Sequence, residues 1–173
     1  MDATTFHTIA VKEFSRGLKN LKLILDKFQT YAETKKFEPS NVLNGRLAPD
    51  QFSFTRQIQI MCDIAKFNAA RLTAKEAPVH EDKEQTIDDL RGRIDKTIAY
   101  LQTLSVKDFE GASTRKIKMP RIEGKAMQGD NYFAQFGIPN FYFHFTMAYA
   151  ILRNNGLDIG KKDYLGELTL ENI

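Results

Sequence analysis

Two polar side chains sit one helical turn apart in the most apolar stretch of this chain. They are Asn140 and His144, within residues 129–156, GDNYFAQFGIPNFYFHFTMAYAILRNNG. Side chains at i and i+4 share a helix face. A polar pair on a helix that is hydrophobic nearly all round must find partners or carry a burial cost. A neutral imidazole has one donor and one acceptor to place, and an asparagine amide complements either. The same imidazole, placed in a pocket, is a candidate general base. The pair is therefore either a hydrogen-bond station of the core or the polar centre of a ligand pocket. Gln57, Gln59 and Tyr149 are the further pocket candidates.

Other reactive residue types have plainer readings. Cys62 is the only cysteine, so no intramolecular disulfide forms. It lies among apolar helix residues and reads as a buried structural thiol. Asp63 and Lys66 suit a salt bridge at a helix surface or pocket end. Arg46 and Asp50 read as ties at the entrance of the second helix. Asp88-Asp89 falls on a polar helix face, away from any acid–base partner. No glycine-rich phosphate loop and no nucleophile elbow appears, and Gly160-Lys161-Lys162 lacks the strand-to-helix setting of a P-loop.

Helical periodicity supplies the elements that must position these groups. Phe14, Leu18, Leu21, Leu25, Phe28 and Ala32 recur at steps of four and three, which predicts a helix over residues 5–36. An apolar connection, 41–49, is expected to pack on the bundle end. A second helix opens at Pro49 or Asp50 and runs to about Thr73, with Phe54, Ile58, Met61, Ala65, Ala69 and Leu72 inward. Gln57 borders one side of that face, and Gln59 and Asp63 lie toward the other. A third helix spans 86–103, where Gly92 weakens propensity without ending the helix. Residues 109–127 lack a helical period and suit either a small β-hairpin around Pro120 or an irregular, ordered loop. The fourth helix starts near Gly129 with Asp130 or Asn131 as its cap. Gly137-Ile138-Pro139 is expected to break or kink it, and Asn155-Gly156 to stop it. The tail 160–166 is expected to be extended and to fold back on the surface.

The chain has 173 residues, 42% hydrophobic and 27% charged, with a net charge of +3, which suits one soluble domain. Basic and acidic residues alternate, and the one cluster, Arg115-Lys116-Ile117-Lys118 with Arg121, reads as a solvated loop or hairpin. Nucleic-acid binding is not expected. No run approaches the roughly 18 apolar residues of a membrane span, and the N-terminus lacks a signal-peptide pattern. The expected location is the cytoplasm.

Several blocks together resemble a bacterial domain-of-unknown-function family grouped with the DinB/YfiT-like metalloenzymes. They are Arg46-Leu47-Ala48-Pro49-Asp50, Ala70-Arg71-Leu72, Pro139-Asn140-Phe141-Tyr142-Phe143-His144, Ala148-Tyr149-Ala150-Ile151-Leu152-Arg153 and Gly160-Lys161-Lys162-Asp163-Tyr164-Leu165-Gly166. The resemblance implies a single all-α domain, a four-helix bundle in up-down-down-up order, often dimeric. It also implies a divalent metal held by three histidines, one from the second helix and a His-x-x-x-His pair on the last. His144 matches the second histidine of that pair, Asn140 stands at the first, and the second helix has no histidine. One imidazole with two amides is a poor metal cage, so no cofactor is expected and any metal would fall on His144.

Three functions follow as expectations. The first is a non-metal binding protein with a small-molecule pocket near His144. The second is a metal-dependent transferase or hydrolase, for example one of thiol transfer. The third is a structural homodimer without a ligand. The residues do not decide whether the protein is an enzyme. Ile9, Leu23 and Ile24 lie outside the main stripe of the first helix, which together with the resemblance suggests a homodimer.

Overall fold

The structure is a computed structural model that describes residues 1–119 and 122–171. Its first long helix is α1 (Ala3–His7) running through a π-helical turn, Thr8–Glu13, into α2 (Phe14–Lys35). A short turn, α3 (Ser40–Leu43), leads to α4 (Phe54–Thr73) and α5 (Ile87–Gln102). A two-stranded antiparallel hairpin, β1 (Lys116–Lys118) and β2 (Ala126–Gln128), precedes the last long helix. The turn expected around Pro120 and Arg121 lies outside the described residues. The last helix is continuous: α6 (Gly129–Tyr132), a π-helical turn Phe133–Gly137, then α7 (Ile138–Asn154). A final short helix, α8 (Lys161–Leu165), follows.

Side-chain pairs give the helix directions. Lys22 meets Asp95 and Asp26 meets Arg91, so α2 and α5 run antiparallel. Phe14 stacks on Phe141 and Tyr31 donates to the Asn155 carbonyl, so α2 and α7 run parallel. His144 meets Gln57 and Tyr132 meets Arg71, so the last helix runs antiparallel to α4. The order is thus up-down-down-up. All six stripe residues of α2 and all six inward residues of α4 are buried, as the periodicity predicts.

Several boundaries differ from the sequence reading. Helix α4 starts at Phe54 rather than Pro49 or Asp50: Val42 and Leu43 are buried, the chain then turns, the Phe54 N–H bonds back to the Gly45 carbonyl, and Ser53 is extended at the N-cap. Neither Asp130 nor Asn131 caps the last helix. Gln128 holds that position, and Asp130 instead binds the Met1 ammonium and the Ser113 hydroxyl. Pro139 offers no N–H to the preceding turn, and the helix widens into a π-helical turn instead of breaking. The tail is not extended: Gly160-Lys161-Lys162-Asp163 forms a helix start, with the Asp163 carboxylate accepting from the Gly160 N–H.

That tail does fold back. Asn20 donates to the Tyr164 and Leu165 carbonyls, and the Tyr164 ring stacks on Phe145 at 4.1 Å. Of the three residues that pointed to a dimer face, only Leu23 is exposed; Ile24 belongs to the core and Ile9 packs against it. No helix among the described residues is long and apolar enough to cross a membrane.

Candidate functional site

The inward stripe of α7 is Phe141, His144, Phe145, Ala148, Ile151 and Leu152. His144 therefore occupies a core position of an otherwise apolar face, turned toward α4. Its Nδ1 lies 2.6 Å from Gln57 Oε1. The Gln57 amide nitrogen donates to the Phe52 carbonyl at 3.2 Å, which fixes the amide orientation and makes Oε1 the acceptor. Nδ1 accordingly carries the proton and Nε2 is left as a lone-pair acceptor. Nε2 has no partner among the described residues.

Burial removes water that would stabilise the imidazolium, and the Arg56 charge adds to the effect. Together they push the His144 pKa down from 6.5 to about 4. The ring is thus a neutral hydrogen-bond acceptor at physiological pH. Phe143, beside it at 5.2 Å between ring centroids, is half exposed.

The other sequence candidates do not join this centre. Asn140 is half-buried, and its side chain makes no hydrogen bond with a described residue, so the partner of His144 is Gln57 and not Asn140. Tyr149 is rotated about 140° from His144 around the helix. Its hydroxyl donates to the Ile159 carbonyl and its ring edges onto Tyr164, so it belongs to the tail anchor. Gln57 and Gln59, two residues apart, face different neighbours. Gln59 donates to Glu84 and accepts from Arg56.

Gln59 borders a charged network that the sequence reading missed. Arg93 of α5 is buried at 2% exposure and pairs with Asp63 at 2.8 Å, Glu84 at 2.9 Å and Asp82 at 3.0 Å. Lys66, equally enclosed, pairs with Asp63 at 2.9 Å, so the Asp63–Lys66 bridge is largely internal and not a surface one. A signal for Arg93 was present: it stands three residues after Leu90 and one before Ile94, at the edge of the apolar stripe of its helix. Asn68 was missed too. Its amide is buried with both polar atoms unpartnered among described residues, against the π-helical turn of the last helix. A Cβ at Gly137 would stand 2.7 Å from Asn68 Oδ1, so glycine is required for this approach. Burial raises the Cys62 thiol to about 12, as suits an inert structural cysteine.

These features define an all-α bundle of the DinB/YfiT kind with a polar centre between the second and last long helices. Residues 6–165 match the model of a family described as a domain of unknown function, DUF1993. The chain belongs to that family. It is also similar to a DinB family member protein from Shewanella denitrificans of known crystal structure, at 45% identity and a TM-score of 0.96, covering 99% of this chain and 97% of that one. No curated protein matches the sequence.

The metal that the wider group implies needs about three protein donors of histidine, cysteine or carboxylate type. His144 supplies one imidazole nitrogen. Gln57 Oε1 is occupied by the Nδ1–H of that same ring, and Asn140 is an amide. Among the described residues no group of three or more His, Cys, Asp or Glu could hold a metal ion. The donor set does not fit a three-histidine centre.

Proposed function

We propose that the protein binds a small, largely apolar molecule at His144, and that recognition rests on one hydrogen bond from the ligand to Nε2. The observation that carries this reading is the Gln57–His144 bond, which holds the ring in one tautomer and leaves its acceptor unpaired. A buried imidazole that stays neutral cannot serve as a charged anchor. It favours a neutral ligand bearing an O–H or N–H, such as a phenol, an alcohol or an amide. The half-exposed ring of Phe143 offers apolar contact nearby. The reading is of a binding protein rather than a metal-dependent transferase or hydrolase, because the donors at His144 do not suit the metal those activities require.

The test is a thermal-shift screen of neutral phenols, alcohols and amides against the wild type and His144→Phe. The variant keeps an aromatic ring and loses the acceptor. A ligand at a hundred times its Kd adds about 2.7 kcal/mol, which is roughly 5–10 °C in a chain of this size. The expected result is a shift in the wild type that His144→Phe abolishes. A shift that survives unchanged in the variant, or none across the screen, contradicts the reading.

A further inference from the structure

On the far side of α4 from His144, the loop 79–84 and the outer face of α5 enclose an open depression of about 580 Å³. That lies within the size range of small-molecule sites. His80 and Glu84 line it from the loop, and Asp89, Gly92, Arg93 and Lys96 from the helix.

Gly92 is the first reason to regard it as a site. Glycine in a helix interior is destabilising relative to alanine. The other two glycines that lie well inside the long helices have packing reasons. A Cβ at Gly17 would meet the Phe141 ring at 3.0 Å, and one at Gly137 would meet Asn68. At Gly92 the backbone is ordinary helix, and nothing beyond the adjacent helix backbone comes within 4 Å of where a Cβ would stand. Neither the backbone nor the packing of this chain needs a glycine there. Its effect is to bare the helix backbone on the wall of the depression.

The charges around it are the second reason. Glu84 is held by Arg93 and Gln59. Asp89 is used in the capping box, accepting from the Gln85 and Thr86 N–H groups. Glu81 pairs with Lys83 and Asp88 with Arg91. Arg93 already faces three carboxylates. Lys96 alone among the lining ions has neither ion pair nor hydrogen bond with a described residue. The uncommitted charge is one cation, while the surrounding carboxylates oppose a dianion.

We propose that this depression is a second binding site, for a small organic monocarboxylate whose carboxylate pairs with Lys96 and whose body lies on the bare backbone at Gly92. The site is independent of the reading at His144.

The experiment is a two-dimensional amide NMR titration of the full chain with benzoate and with acetate, and with inorganic phosphate for contrast. Benzoate is expected to give saturable shifts centred on the Gly92 amide and its neighbours on α5, with acetate binding more weakly at the same place. Lys96→Met is expected to weaken benzoate at least about tenfold. Gly92→Ala is expected to melt at a higher temperature than the wild type, through helix propensity, and yet to lose affinity by a similar factor. That combination separates a filled cradle from a damaged fold. His144→Phe is expected to leave the titration unchanged. The proposal is overturned if neither carboxylate saturates, if the shifts centre elsewhere, if both variants bind as the wild type does, or if phosphate binds as tightly as benzoate.

Discussion

Replacing Gln57 by leucine tests the site at its smallest working part. The side chain is buried and of similar size, so the change removes polar atoms more than volume. It strands the Nδ1–H of His144, which now has a 2.6 Å bond to Gln57 Oε1. The Phe52 carbonyl loses a donor as well, but that loss is common to the single and the double change and cancels in the cycle. A buried donor left unpaired costs about 1–3 kcal/mol. His144→Phe strands Gln57 Oε1 and should cost a similar amount. The double change leaves neither atom unpaired, so it should cost less than the sum of the singles by about 1–2 kcal/mol. Urea unfolding at pH 7.5, where the ring is neutral in both folded and unfolded chains, measures all four proteins. The comparison holds only if the denaturant slopes agree. A parallel cycle pairs His144→Phe with Asn140→Leu, where the structure has no hydrogen bond to lose, and there the two changes should be nearly additive. Additivity in the Gln57 cycle, or equal coupling in the Asn140 cycle, would refute the assignment.

Three further outcomes follow from the same geometry. His144 holds its proton less firmly when folded, with its pKa down from 6.5 to about 4. The unfolded chain therefore takes up the proton first as pH falls. The resulting stability is fully present above pH 6.5 and is lost as pH drops toward 4, about 3 kcal/mol in all. Urea midpoints across this window should fall less steeply in His144→Phe than in the wild type, and equal slopes would count against it. Arg93→Met should cost about 3–5 kcal/mol, because Glu84 loses its cation inside the fold; thermal unfolding within the error of wild type would show the network to be inert. Equilibrium dialysis against zinc should find well under one equivalent bound per chain, and a full equivalent lost in His144→Phe would overturn the donor-set argument.

The first three long helices were legible because each is long and periodic, and the last because it is long and apolar. Thr86 and Asp89 form the capping box that opens α5, and Phe14 through Ala32 carry the stripe of α2 without interruption. The π-helical turns were not legible, since a widened turn changes which residues face inward by one position without altering composition. Pro139 marked the place but not the remedy. At the site, the position and burial of His144 were readable from its neighbours on α7. Its partner was not, because Gln57 and Gln59 both border the core face of α4 and only the packing of α7 and α5 on opposite sides assigns one to each. Sequence proximity favoured Asn140, whereas the antiparallel approach of α4 brings Gln57 to the ring instead. Arg93 shows a related failure. An arginine beside an apolar stripe reads as a solvated edge until the loop carrying Asp82 and Glu84 is folded over it.

Recognition at His144 requires a neutral ring, protonated at Nδ1, with Nε2 free to accept. Nitrogen-15 NMR of the histidine side chains reads both the tautomer and its titration, with His144→Phe assigning the signal. The expected spectrum has a protonated Nδ1 and an unprotonated Nε2 at pH 7, titrating near pH 4. A ring protonated at Nε2, or one that titrates near 6.5, would contradict it.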